Sequence, residues 1–172
     1  MKKVLMPLAI AAAIFGVTNR ANAQASATAN ASAYVITPIS ITKTLDMNFG
    51  NLAVSASTGG TVVLSTAGAR TATGGVTLPS TTGTVTAATF TVTGEGSYTY
   101  DITLPSSAVT LTDGAGHSMT VNAFTSDPTA LAGALTAGSQ TLYVGATLNV
   151  AAGQASGNYT TATPFTVTVN YN

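Results

Sequence analysis

The stretch Phe90-Thr-Val-Thr-Gly94-Glu95-Gly96-Ser-Tyr98-Thr-Tyr100-Asp-Ile102-Thr-Leu104 decides the fold class. Phe90 and Val92 fall on one side of a period-two pattern, and Tyr98, Tyr100, Ile102 and Leu104 fall on one side of the next. Alternation at this period gives one apolar and one polar face only in an extended chain, because successive side chains of a strand point to opposite faces. With Gly94-Glu95-Gly96 between them, the two runs read as a β-hairpin.

Working outward, the same signature repeats. Leu64 lies in the run Thr61 to Ser65, Met119 and Val121 alternate in a later run, and Val144, Ala146, Leu148 and Val150 alternate further on. Pro79, Pro105 and Pro128 punctuate the gaps. Thr, Val and Tyr suit a pleated, half-buried surface, and several short alternating runs separated by turn residues form the pattern of a sandwich or barrel. The one helical candidate, Thr129 to Ala137, is short, contains Gly133 and is followed by Gly138. Isolated helices of that length are marginal, so the segment reads as a loop with at most one turn. The expected architecture is all-β, an antiparallel β-sandwich.

The first residues speak to compartment. Lys2 and Lys3 precede an apolar run from Val4 to Val17, and Ala21-Asn22-Ala23 is a small-x-small cleavage site. Together these make a secretory signal peptide over residues 1–23. The mature chain is therefore expected to start at Gln24 and to be exported through the periplasm to the cell surface or extracellular space. The apolar run is too short to remain as a membrane span and no later run reaches about 18 apolar residues, so no transmembrane segment is expected in the mature form.

Losing the leader removes Lys2, Lys3 and Arg20. Two basic residues, Lys43 and Arg70, then stand against five acidic ones, Asp46, Glu95, Asp101, Asp113 and Asp127, a formal charge of −3. Nucleic-acid surfaces need clustered Lys and Arg, which argues against nucleic acid as a partner, and a basic membrane patch is missing for the same reason. The chain has no Cys, so disulfides and thiolate metal sites are unavailable and packing with backbone pairing must hold the fold. Disorder goes with low hydrophobicity and high net charge, whereas 45% of this chain is apolar.

No catalytic constellation emerges. His117, the one histidine, sits in Asp113-Gly114-Ala115-Gly116-His117, where turn chemistry is the simpler reading. Asp113-Gly114 lacks the repeated Asp and terminal Glu of a calcium loop. Glu95 and Asp101 flank a turn with no spacing that sets them across a cleft. Tyr98, Tyr100 and Tyr143 occur at strand spacing, which suits core or cross-strand packing better than sugar stacking. A Ser nucleophile motif, a phosphate loop and zinc spacing are all missing. The expectation is a non-enzyme with no cofactor and no metal.

The two ends carry the functional signal. Ala25, Ala27, Ala29, Ala31, Ala33 and Val35 alternate with Ser26, Thr28, Asn30, Ser32 and Tyr34, which is a strand pattern with small knobs. The alternation resumes after Pro38 with Ile39 and Ile41, and after Lys43 with Leu45, Met47 and Phe49. A single strand of that length exceeds the usual 3–10 residues or so. Pro38 cannot donate to a ladder, so it separates an extension, 24–37, from a domain, 38–172. At the other end Phe165, Val167, Val169 and Tyr171 alternate with Thr166, Thr168, Asn170 and Asn172 to the last residue. Terminal segments are usually polar or frayed, so this final strand reads as central to the core, with its end covered by something.

The segment Ile39-Ser-Ile-Thr-Lys-Thr-Leu-Asp-Met-Asn-Phe49-Gly50, with the ending Phe165-Thr-Val-Thr-Val-Asn-Tyr171-Asn172, resembles a family of secreted bacterial sandwich domains of unknown function. It is also similar to spore-coat-U-type domains and to the subunits of archaic chaperone–usher pili, which share a strand ending in Phe-Gly and an apolar final strand with a penultimate Tyr. The pilin likeness implies an immunoglobulin-like sandwich lacking one strand, completed by the N-terminal extension of a neighbour. It would make Ala25, Ala27, Ala29, Ala31 and Ala33 the inserted knobs, and would set Phe165, Val167, Val169 and Tyr171 along the acceptor groove. Many such pilins hold a disulfide and larger donor knobs, and this chain has neither. Gly153 and Gly157 do not align with a pilin motif glycine. The implied function is a structural subunit of an extracellular fibre or pilus, assembled head-to-tail by strand donation for adhesion or biofilm. The implied partners are identical subunits, with a periplasmic chaperone and an outer-membrane usher during assembly. The alternative is a self-contained secreted adhesion or carbohydrate-binding module.

Overall fold

A computed structural model describes residues 23–172. The leader expected over residues 1–23 lies outside the described residues except for Ala23. The chain divides into two compact units, one ending at Tyr34 and the other running from Val35 to Asn172. In the first unit, residues 23–34 form no strand and all are exposed.

The second unit is all-β. Its strands are β1 (Ser40–Leu45), β2 (Ala53–Val54), β3 (Gly60–Leu64), β4 (Arg70–Gly74), β5 (Val76–Thr77), β6 (Ala88–Thr93), β7 (Thr99–Thr103), β8 (Val109–Thr112), β9 (Ser118–Asp127), β10 (Gly133–Ala134), β11 (Ser139–Val150), β12 (Thr160–Thr161) and β13 (Thr168–Tyr171). An eight-stranded sheet runs β1-β6-β11-β9-β8-β12, with β3 pairing to β11 and β4 to β3; β10-β7-β13 forms a second sheet and β2-β5 a short ribbon. All pairings are antiparallel. The larger sheet curls as a half-barrel, and the whole is a β-sandwich.

The long strand β11 organises this unit. Along one edge it pairs with β6 as far as Val144 and with β3 from Ala146 onward, so Gly145 stands at the seam where one neighbour gives way to the next. A Cβ on Gly145 would collide with the Leu64 carbonyl, and glycine is the residue that lets two backbones approach so closely. Two core clusters form on either side of the seam. The first joins Phe90, Val92, Leu142 and Val144 of the large sheet to Tyr100, Ile102, Val167 and Val169 of the small sheet's side. The second lies within the curl, around Val62, Leu64, Val121, Leu148 and Val150. Met47 and Phe124 pack against both.

Three readings change. Gly94-Glu95-Gly96 does not close a hairpin: β6 pairs with β1 and β11, while β7 pairs with β10 and β13. The turn carries the chain from one sheet to the other, so Phe90 and Val92 meet Tyr100 and Ile102 across the core instead of lying beside them. Next, the C-terminal run buries Val167 and Val169 in the core as expected, but its strand is not central to its sheet. It covers only Thr168–Tyr171, starts three residues after Phe165, and pairs with β7 alone at the edge of the small sheet. Third, a bulge between Lys43 and Leu45 breaks the alternation of β1, which turns Leu45 outward at 50% exposure while Phe49 remains buried. An extra residue swaps the faces of the strand beyond it, and because β1 ends at Leu45 the swap does not carry on to Phe49. Within Thr129 to Ala137 a turn, closed by the Ala132 N–H donating to the Thr129 carbonyl at 2.8 Å, leads directly into β10.

Candidate functional site

The residues of the final strand and of β1 meet at one side of the sandwich. β1 ends the large sheet and β13 ends the small one, and the two approach each other without pairing. Each therefore keeps one edge of backbone N–H and C=O groups free of ladder partners. Unpaired edges are templates for another strand, and proteins usually blunt them with charge, Pro or a covering loop. Lys43 on β1 is drawn into an exposed pair with Asp46, Nζ to Oδ1 2.6 Å, a contact of little energetic weight. Val167 and Val169 are buried in the first core cluster, and Phe165, Tyr171, Ile39 and Ile41 are half-buried against it. Phe165 does this from the segment before the strand, with its ring 5.1 Å from that of Phe124.

Tyr171 closes one end of this side. Its Oη accepts from the Glu95 N–H at 2.6 Å and donates to the Thr37 carbonyl at 2.9 Å. The Thr37 N–H in turn donates to Glu95 Oε2 at 3.0 Å. Both backbone polar groups of Thr37 are thus held by the turn and the C-terminal strand. The Thr37 N–H, and then its side chain, keep the Glu95 carboxyl below its ordinary value of 4.5 against a smaller opposing effect of desolvation. Tyr98 packs edge-on against Tyr171, ring centres 5.6 Å apart, and a Cβ on Gly94 would collide with the Tyr171 Oη. Sequence reasoning missed the roles of Thr37 and Glu95. The legible signal was a glutamate inside a Gly-x-Gly turn, where a solvated turn needs no acid.

The other candidates resolve differently. Asp113 Oδ1 accepts from the N–H groups of Ala115 and His117 at 2.8 and 3.1 Å, and Oδ2 lies 2.6 Å from His117 Nδ1. Those contacts occupy the carboxylate with its own loop. No group of three metal-ligating side chains occurs among the described residues. Tyr100 is fully buried and donates to Gln140 Oε1 at 2.7 Å, tying the small sheet to β11. Tyr143 is 40% exposed on the outer face of the large sheet. Ala25, Ala27, Ala29, Ala31 and Ala33 are all exposed and in no strand.

A model of a domain of unknown function, DUF4402, matches residues 39–171. The chain belongs to the DUF4402 family. The DUF4402 match spans every strand just described, from the residue after Pro38 to Tyr171. No curated protein and no solved structure matches the chain. The arrangement of this DUF4402 domain offers backbone pairing along the β1 and β13 edges, over side chains that are buried in the first core cluster.

Proposed function

We propose that this protein is an exported structural subunit that polymerises head-to-tail, the extension Gln24–Ile36 of one copy adding as a strand to the β1 and β13 edges of the next. The observation that carries the reading is the meeting of two unpaired edges, one from each sheet, in a chain whose own alternating N-terminal segment forms no strand. Strand addition gains affinity from backbone hydrogen bonds and specificity from alternate side chains. With Ala knobs burying little area, pairing carries most of the interaction. Donor and acceptor are different surfaces, so the contact does not close on itself and builds a filament. The likeness to archaic chaperone–usher pilins and spore-coat-U-type domains agrees with this reading, with export through the periplasm, and with a chaperone and usher as assembly partners; adhesion or biofilm is the role it favours.

A self-contained adhesion module is the second reading. What favours it is that Val167 and Val169 are already 8% and 7% exposed. Electron microscopy and size-exclusion chromatography separate the two. Deleting residues 24–36 should abolish filaments, as should Ala29→Asp, because an unpaired carboxylate cannot enter an apolar groove cheaply. Ser32→Asp, on the opposite face of the same segment, should be tolerated. Filaments that survive the deletion, or two Asp variants that behave alike, would overturn strand donation.

A further inference from the structure

Thr37 and Glu95 belong to neither core cluster, and their place in the chain gives the clasp they form with Tyr171 a use. We infer that the Thr37–Glu95–Tyr171 clasp, with Pro38 and Ile39, prevents the extension from folding back along β1 of its own chain and so reserves that edge for a second copy; this rests on the strand-donation reading above.

The argument is one of turn chemistry. β1 begins at Ser40 beside Thr93, at the same end as Glu95 and Tyr171. For Gln24–Ile36 to pair with β1 of its own chain, residues 37–39 would have to form a three-residue hairpin loop. The common loop of that length is a type I turn followed by a left-handed residue. Pro38 would then stand at the second central position, where its ring forces the preceding Thr37 out of the α region. Ile39 would take the left-handed position, which is costly for a β-branched residue. Ile39 would also leave the core against which it packs. Finally, the Thr37 N–H and C=O that could contribute to such a loop are held by Glu95 Oε2 and Tyr171 Oη. Residue choice and hydrogen bonding oppose the same conformation independently.

The test uses the mature chain carrying Ala29→Cys, which introduces its only thiol because the protein has no Cys. Two routes relax the block. One is Glu95→Ala with Tyr171→Phe, which removes both side-chain partners of Thr37; the other is Pro38→Asn with Ile39→Gly, which makes the loop permissive. Two hydrogen bonds of about 1 kcal/mol each correspond to roughly a tenfold or larger shift. Each route should therefore raise the ratio of monomer to filament about tenfold, and the thiol in those monomers should become protected from maleimide. The two routes alter different residues, so a route that abolishes the cooperative melt leaves the other to decide. Monomer ratios unchanged in the folded variants, or extra monomers with a freely reactive thiol, would overturn the inference. Deleting residues 24–36 in parallel separates the two levels. If the deletion leaves filaments, strand donation itself fails; if it abolishes them while both routes polymerise like the parent, only the self-blocking device fails.

Discussion

In the curled half of the domain, Phe49, Leu52, Val54, Val76 and Leu78 come from the segments around β2 and β5 and pack onto Val62, Leu64, Val121 and Leu148. In the sandwich half, Val92, Leu142, Tyr100 and Val169 bury one another just as fully, but the sheets stop at β1 and β13 with nothing paired beyond. The same strand, β11, supplies both halves. Burial therefore does not distinguish them. Bare edges do not distinguish them either, since β4 and β12 end the large sheet in the curled half. What sets the sandwich half apart is that two bare edges, one from each sheet, approach each other where the chain's first domain residues and its last strand meet. A core can be complete in its side chains and still offer hydrogen bonds.

The largest effects should be equal in the two halves. Leu142→Ala empties a site with no exposure in the sandwich half, and Leu148→Ala one with 2% exposure in the curled half. Each should cost about 2–5 kcal/mol, the usual range for a buried leucine truncated to alanine. Because β11 threads both cores, urea unfolding followed by far-UV circular dichroism and by tyrosine fluorescence should show one transition for either variant. Two separate transitions would mean that the halves melt independently and that β11 does not couple them.

Gly145→Ala attacks that coupling directly. The added methyl meets the Leu64 carbonyl, a backbone atom that cannot rotate away. Overpacking of this kind costs about 1–3 kcal/mol. A midpoint shift below the error of the measurement would show that β3 and β6 can part at the seam without strain.

The all-β class and most inward residues were legible, because alternation reports which face a side chain takes. Leu64, Val92, Leu148 and Val169 follow from period alone. What alternation leaves open is which strands are neighbours. The run Phe90 to Leu104 has the same pattern whether Gly94-Glu95-Gly96 closes a hairpin or crosses between sheets, since both outcomes bury Val92 and Tyr100. Alternation is equally silent on edges, so β13 could be read as buried but not placed at the margin of its sheet. The Lys43–Leu45 bulge hid Leu45 for a third reason: one extra residue reverses parity. At the site, Tyr171 stood out as an aromatic at the end of a strand. Thr37 and Glu95 did not, because their contacts span 134 and 76 residues from Tyr171.

A pair of tyrosines then tests whether the edges matter beyond stability. Tyr171 Oη in the sandwich half and Tyr159 Oη in the curled half each make two hydrogen bonds, the latter accepting from Gln154 Nε2 at 2.9 Å and donating to the Ala155 carbonyl at 2.8 Å. Tyr171→Phe and Tyr159→Phe should each cost about 1 kcal/mol in thermal melts. Only Tyr171→Phe should alter the balance of monomer and filament. Equal effects on assembly would indicate that any loss of stability, wherever it falls, disturbs polymerisation.

The smallest difference is in acid. Among the described residues each half has a carboxylate held below its ordinary value, Glu95 by the Thr37 N–H in one and Asp113 in the other. For Asp113 desolvation is the largest single effect and works to raise it, but the His117 ring and the Ala115 and His117 N–H groups together outweigh it. A carboxyl whose pKa is lower folded than unfolded binds fewer protons in the folded state, so it adds stability. That contribution is complete above the unfolded values, 4.5 for Glu95 and 3.8 for Asp113, and disappears as pH falls through the lowered folded values. Exposure and salt keep both effects modest. Glu95→Gln should flatten the upper part of the acid limb in a plot of melting temperature against pH, and Asp113→Asn the lower part. Assembly should follow Glu95 alone, because acidifying Asp113 loosens only its own loop while neutralising Glu95 weakens the bond that holds the Thr37 N–H. A filament yield that falls with pH identically in the parent and in Glu95→Gln would show that the clasp is not the acid-sensitive element.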